Sequence, residues 1–204
     1  MTLLSELQYF GSINYYRALI DGTYLKFDLY NSYRKMSFRN RCLIAGANGI
    51  IELSVPLLNG RNQRVPFSEV KIDNRQKWQT MQWRSIVSSY RRSPWFEFYE
   101  HKLEPIFSTR YETLAELNMA VWKWSLDCLR LDLAYGFEEV NGEEKDVRDL
   151  WLPRNYASPR EGFPEIRYRQ VFEERLGFLP NLSVMDLIFC AGPSASQLLG
   201  IKPA

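Results

Sequence analysis

Short apolar runs separated by turn residues fill the first third of the chain, and this pattern predicts strands before helices. Residues 3–10 and 24–29 read as strands, with Asp21-Gly22 turning the chain between the apolar segment 15–20 and the second run. Two β-branched runs, 42–45 and 50–55, flank Gly46-Ala47-Asn48-Gly49 and predict a β-hairpin whose turn contains Asn-Gly. A further strand is expected over 65–72, after the turn-rich stretch 57–62 and before Asp73-Asn74, which offers a helix cap.

From residue 75 the period changes to that of a helix. Trp78, Met81, Trp83, Ile86, Val87 and Tyr90 recur at helical spacing and predict a helix over 75–90. Ser93-Pro94 is a helix-start pair, and Trp95, Tyr99 and Leu103 then share a face until Pro105 limits continuation. Thr113 with Glu116 forms a capping-box pattern ahead of an apolar stripe that runs through Leu117, Val121, Trp124 and Cys128 to Leu131. The charged, proline-bearing stretch 136–162 reads as loop around a short strand at 150–152. Residues 168–172 read as a last strand. Ser183 is placed to cap a helix over 184–190 ended by Gly192-Pro193, and Ser194 with Gln197 predicts a short final helix stopped by Gly200. The order of elements predicts an α/β or α+β fold, a single domain over 1–204 with a mixed sheet and flanking helices. Strand order is not legible at this stage.

Composition adds limits. With 46% hydrophobic and 15% aromatic residues, the 204-residue chain has ample material for a core. No apolar run approaches the roughly 18 to 20 residues of a membrane helix, and the first residues lack the features of a secretory signal, so a cytoplasmic protein is expected. Cys42, Cys128 and Cys190 are odd in number and widely spaced, which suits reduced thiols and predicts neither disulfide nor zinc site. Twenty-six basic against 24 acidic residues leave a net charge of +2, too little for a general nucleic-acid binder. No P-loop, dinucleotide-binding or nucleophile-elbow motif is present, and no cofactor is predicted.

The candidate chemistry centres on Arg39-Asn40-Arg41 at the mouth of the hairpin. Guanidinium groups bind phosphate or carboxylate in bidentate fashion and Asn40 adds a donor and an acceptor, yet the same residues also read as a solvated, charged hairpin edge. Lys77, Arg84 and Arg91 stand seven apart on one side of the first long helix, either extending an anion site or forming its wet face. Asp28, at the expected end of a strand, is the candidate general base, with turn formation as the alternative. Asp186 reads either as a base or as a carboxylate near a helix start. His101, the one histidine, is expected in solvent. Tyr90, Trp95, Phe96 and Tyr99 read as core or as a sugar-stacking platform.

Three blocks carry a resemblance: "RNRCLIAGANGIIELSVPL", "WQTMQWRSIVSSYRRSPWFEFYEHKLEPIF" and "GFLPNLSVMDLIFCAGPSASQLL". In this order they resemble the WbqC-like family. Where relatives carry a Gln-Pro-x-Tyr-type turn, this chain reads Gln8-Tyr9-Phe10-Gly11, without the proline. The resemblance implies a bacterial surface-polysaccharide (O-antigen) context and transfer of an acyl or aminoacyl group, such as glycine, to an amino sugar. The partner it implies is a nucleotide sugar or amino sugar, bound by Arg39, Asn40 and Arg41. A non-catalytic sugar-nucleotide-binding or scaffold protein is the alternative.

Overall fold

The structure, a computed structural model, describes residues 1–137 and 142–200. Its centre is a parallel sheet built outward from a short β-α-β unit. Strand β1 (Thr2–Ser5) is followed by helix α1 (Ile13–Ile20) and by β2 (Tyr24–Phe27), which pairs parallel to β1 with Leu3 opposite Leu25. Two short edge strands complete it: β5 (Tyr135–Gly136) beside β2 and β6 (Lys145–Asp146) beside β1, giving the order β5-β2-β1-β6, all parallel. Ser12 caps α1 by accepting from the Tyr15 amide. The buried side chains of α1 include Tyr16, which stacks on Trp122 with ring centroids 5.6 Å apart.

The hairpin forms as its apolar runs predict. Strand β3 (Arg41–Gly46) pairs antiparallel with β4 (Gly49–Ser54) across a two-residue loop of Ala47 and Asn48. Gly49, with φ of +127°, makes the backbone turn that a side chain would resist. Parallel and antiparallel pairing thus coexist in an α/β fold, in two separate sheets.

Three helices cover the hairpin and sheet: α2 (Trp78–Tyr90), α3 (Phe96–Ser108) and α4 (Leu114–Leu129). The Thr113 capping box is present, with the Glu116 amide donating to Thr113 Oγ1 at 3.2 Å and Glu116 accepting from the Thr113 amide at 3.0 Å. Pro105 sits inside α3, which continues to Ser108. Lys77, not Asp73 or Asn74, is the N-cap of α2; Asp73 is taken by Arg75 instead. A one-turn helix, α5 (Glu173–Leu176), precedes α6 (Val184–Ala191), capped by Ser183, and α7 (Ala195–Leu198) follows.

Several expected strands are absent among the described residues. Segment 65–72 holds a 3-10 turn at Phe67–Glu69 and touches its neighbours through isolated bridges from Pro66, Lys71 and Ile72. Of its β-branched residues Val70 and Ile72 are buried and Val65 is half-buried. Residues 150–152 and 168–172 are irregular. The expected strand 3–10 ends at Ser5, because Tyr9 and Phe10 turn the chain with Phe10 at φ +44° and fully buried. Part of the predicted loop 136–162, residues 138–141, lies outside the described residues. The main core runs from Leu3 and Phe27 through Trp122, Leu117 and Ile86 to Phe189. A smaller cluster around Trp151, Phe38 and Leu43 sits beside it. No helix among the described residues is long and apolar enough to cross a membrane.

Candidate functional site

In parallel sheets the carboxyl ends of the strands are where ligands gather, because loops converge there. Three such ends meet in this fold. Glu6 follows β1, Asp28 follows β2, and Arg148 and Asp149 follow β6. The Asp28 amide donates to Ser5 O at 2.9 Å, which fixes the two central ends side by side. Arg39 reaches in from the loop before β3. Asn118 of α4 holds this loop to the strand end by donating to Leu7 O at 3.0 Å and Arg39 O at 2.8 Å.

The result is a connected ionic cluster. Arg39 grips Asp149 from both terminal guanidinium nitrogens, at 2.5 and 3.4 Å, and Arg34 donates to the same carboxylate at 2.9 Å. The Asp149 amide donates to Glu6 Oε2 at 3.1 Å from a left-handed backbone, φ +54°, and Gln8 donates to Glu6 Oε1 at 2.7 Å. Asp28 accepts from the Asn31 amide at 3.1 Å, from the Asn31 side chain at 2.5 Å, and from Arg148. Arg148 also pairs with Asp146 at 2.7 Å.

The two carboxyls are driven apart electrostatically. Burial pushes Glu6 above the usual carboxylate range, Asp149 adds to the push, and Arg39 and Gln8 only partly oppose it. Asp28 moves the other way: burial raises it, but the Asn31 hydrogen bonds and Arg148 outweigh burial and hold it below its ordinary value. Burial works against the charge of Arg39, yet Glu6 and Asp149 more than compensate, so it stays a cation. Access differs as well: Arg39 is 8% exposed, whereas Arg148 and Arg34 are 26% and 50% exposed at their side chains, so a ligand meets the latter two first.

The structure separates the residues that the sequence placed together. Arg39 points into the cluster. Arg41 pairs across the hairpin with Glu52 at 2.9 Å, and its buried Nε has no partner. Asn40 is occupied by the fold: its amide donates to Val55 O at 3.1 Å and its oxygen accepts from the Tyr33 hydroxyl at 2.9 Å. Arg84 on α2 and Arg91 just past its end are exposed beside the tip of the hairpin. From Arg41 to Gly46 the strand covers about 17 Å at 3.3 Å per residue, so these arginines serve a different surface from Arg39. Lys77 is exposed, as is His101.

Asp186 is fully buried and accepts from Tyr168 at 2.6 Å, Tyr90 at 2.8 Å and Gln170 at 3.0 Å. Burial raises its proton affinity against those three donors. It joins α2, α6 and the segment before α5, a structural knot rather than a cap. Tyr90, Phe96 and Tyr99 are buried and Trp95 half-buried, all four in or against the core, so they form no open sugar platform. Cys42, Cys128 and Cys190 are free thiols. Among the described residues no group of three histidine, cysteine or acidic side chains is placed to hold a metal ion.

Sequence reading alone missed Glu6, Arg34, Arg148 and Asp149. Glu6 left one signal, a carboxylate within an apolar run. Arg148 and Asp149 stood in a charged stretch with nothing to single them out.

Fold and cluster define an α/β protein with a charged site at the carboxyl ends of its parallel strands. The model of the WbqC-like protein family matches residues 8–149, and the chain belongs to that family. The matched region opens at Gln8 and closes at Asp149, so it contains Asp28, Arg39 and Arg148; the third resembling block lies beyond it. No curated protein and no solved structure matches the chain.

Proposed function

We propose that the chain transfers an acyl or aminoacyl group, such as glycine, to the amine of an amino sugar during bacterial surface-polysaccharide (O-antigen) synthesis. The observation that carries this reading is the ionic cluster at the strand ends, in which Arg34 and Arg39 meet Asp149, the Asp149 amide meets Glu6 and Arg148 meets Asp28; within it the two carboxyls Glu6 and Asp28 are pushed in opposite directions, as in enzymes that divide acid and base roles. Asp28, ionised and already accepting from Asn31 and Arg148, is a poor base; its role is to orient Arg148. Arg148 and Arg34 then hold a phosphate or carboxylate of the substrate in bidentate fashion.

Glu6 is the proton carrier. The sugar amine attacks the acyl carbonyl, a C–N bond forms, and the bond to the leaving group breaks. The amine proton passes to the Glu6 carboxylate and from there to the leaving group. Backbone amides stabilise the oxyanion. Gln8 holds Glu6 by a hydrogen bond, the charge of Arg39 acts on it from nearby, and substrate entry displaces the Asp149 amide that covers it.

One observation favours a binding protein without catalysis: both Glu6 oxygens and both Asp28 oxygens already accept hydrogen bonds. Mass spectrometry decides between the two. The protein is incubated with a panel of nucleotide-linked amino sugars and a glycyl thioester. Sugar carrying one glycyl group, lost in Glu6→Gln, is the expected result. Sugar bound but unmodified with every donor would overturn catalysis and leave the binding role.

A further inference from the structure

The tip of the hairpin carries a second basic surface, remote from the strand-end cluster. Two adjoining hollows of about 470 and 460 Å³ lie between the hairpin loop, the exposed side of α2 and the chain before α5, sharing Ala47, Arg84, Ser88 and Ser89. Every charged residue that lines them is an arginine: Arg84, Arg91 and Arg92. None of the three makes an ion pair among the described residues, whereas Arg39, Arg41 and Arg148 all do. On a helix, residues four apart are neighbours, so Arg84 and Ser88 adjoin on α2, and Arg91 and Arg92 follow directly at its C-terminal end along the same groove.

Hydroxyl groups line the groove beside the arginines: Ser88 is exposed there, and Ser89, 4% exposed as a residue, borders both hollows. A serine hydroxyl can donate to a ligand oxygen. Phe172 closes the other side as an apolar wall.

We propose that this groove binds a diphosphate group. Three guanidinium groups with no carboxylate among them match several negative charges better than one. Ser88 and Ser89 supply further donors, and the volume lies in the range of small-ligand sites. The site is independent of the transfer reaction assigned to the strand ends.

The test is titration calorimetry with inorganic pyrophosphate at physiological and raised salt. Wild type is expected to bind one equivalent, more weakly as salt rises. Arg84→Ala/Arg91→Ala is expected to raise Kd at least about tenfold, the loss of a charged hydrogen-bond partner. Arg91→Glu is expected to abolish binding. Arg110→Gln, an exposed arginine that lines neither hollow, is expected to bind as wild type does. Tighter binding of uridine diphosphate than of pyrophosphate would identify a nucleotide as the source of the group, and equal binding would leave the diphosphate alone as the recognised feature. No heat from folded wild type, or unchanged affinity in the α2 variants, would overturn the proposal. Binding lost in Arg148→Gln alone would also overturn it and place the anion at the strand ends.

Discussion

Replacing Arg39 by methionine tests how the strand-end cluster is held together. The change keeps most of the apolar stem and removes the guanidinium that grips Asp149 and faces Glu6. Arg34 still neutralises Asp149, but Glu6, 2% exposed, is left as a carboxylate with only Gln8 and one amide against it. Breaking a buried ion pair costs about 3–5 kcal/mol. Because Arg34 remains, the lower end, about 3 kcal/mol, applies at pH 8. Protonation of Glu6 relieves the penalty. The folded-state proton affinity of Glu6 is already raised, so the folded protein holds its proton to higher pH than the unfolded chain, and stability falls as pH rises through the folded value. Arg39→Met extends that loss, so its cost is smaller at pH 5 than at pH 8. Urea denaturation at both values reads the difference, and Glu6→Gln in the same background should restore part of the loss. A cost below about 1 kcal/mol at pH 8, the size of an exposed pair, or no recovery with Glu6→Gln, would refute the reasoning.

Further outcomes follow from other parts of the fold. Asp28 contributes stability as an anion, fully present above its unfolded value and lost as pH falls through its depressed folded value. Asp28→Asn should therefore cost about 1–3 kcal/mol at neutral pH, and far less in strong acid, in denaturant titrations. Tyr90→Phe removes a donor to buried Asp186 and the acceptor of the Ala45 amide, 3.1 Å away, for a loss of about 2–3 kcal/mol by thermal unfolding. Gly192→Ala meets a positive φ of 55° and would set its new carbon into the Trp95 ring. Backbone strain of about 1–2 kcal/mol and overpacking of about 1–3 kcal/mol combine, so a marked fall in melting temperature is expected. Gly60→Ala, at φ +66° with open space around it, should lose the backbone contribution only.

Local signals were legible in the sequence, and long-range ones were not. The hairpin, the Thr113 capping box and the Ser183 cap rest on residues a few positions apart, and each forms as its spacing predicts. Strands β5 and β6 are two residues long, too short to carry an alternation, yet they decide the sheet order and bring Arg148 and Asp149 to the site. Segments 65–72 and 168–172 have strand composition, yet only Phe67, Val70, Ile72 and Gln170 of them are buried and neither joins a strand ladder; 65–72 makes isolated bridges only. Asp28 and Arg39 were legible as candidates; that they converge with Glu6 and Asp149 is a product of the sheet, across separations of more than 100 residues. Arg84 and Arg91 were legible as a stripe, and only the position of the hairpin tip separates them from Arg39.

On the proposed function, ligand is held and acted on at the carboxyl ends of β1, β2 and β6. Isothermal titration with a nucleotide-linked amino sugar, comparing wild-type strand ends with Arg148→Gln/Arg34→Gln, both in an Arg84→Ala/Arg91→Ala background that disables the hairpin-tip groove, is the decisive experiment. Saturable binding by the protein with wild-type strand ends, weakened at least about tenfold by Arg148→Gln/Arg34→Gln through loss of two charged hydrogen-bonding partners, is the predicted result. Equal affinity in both proteins, each folded, would contradict the account.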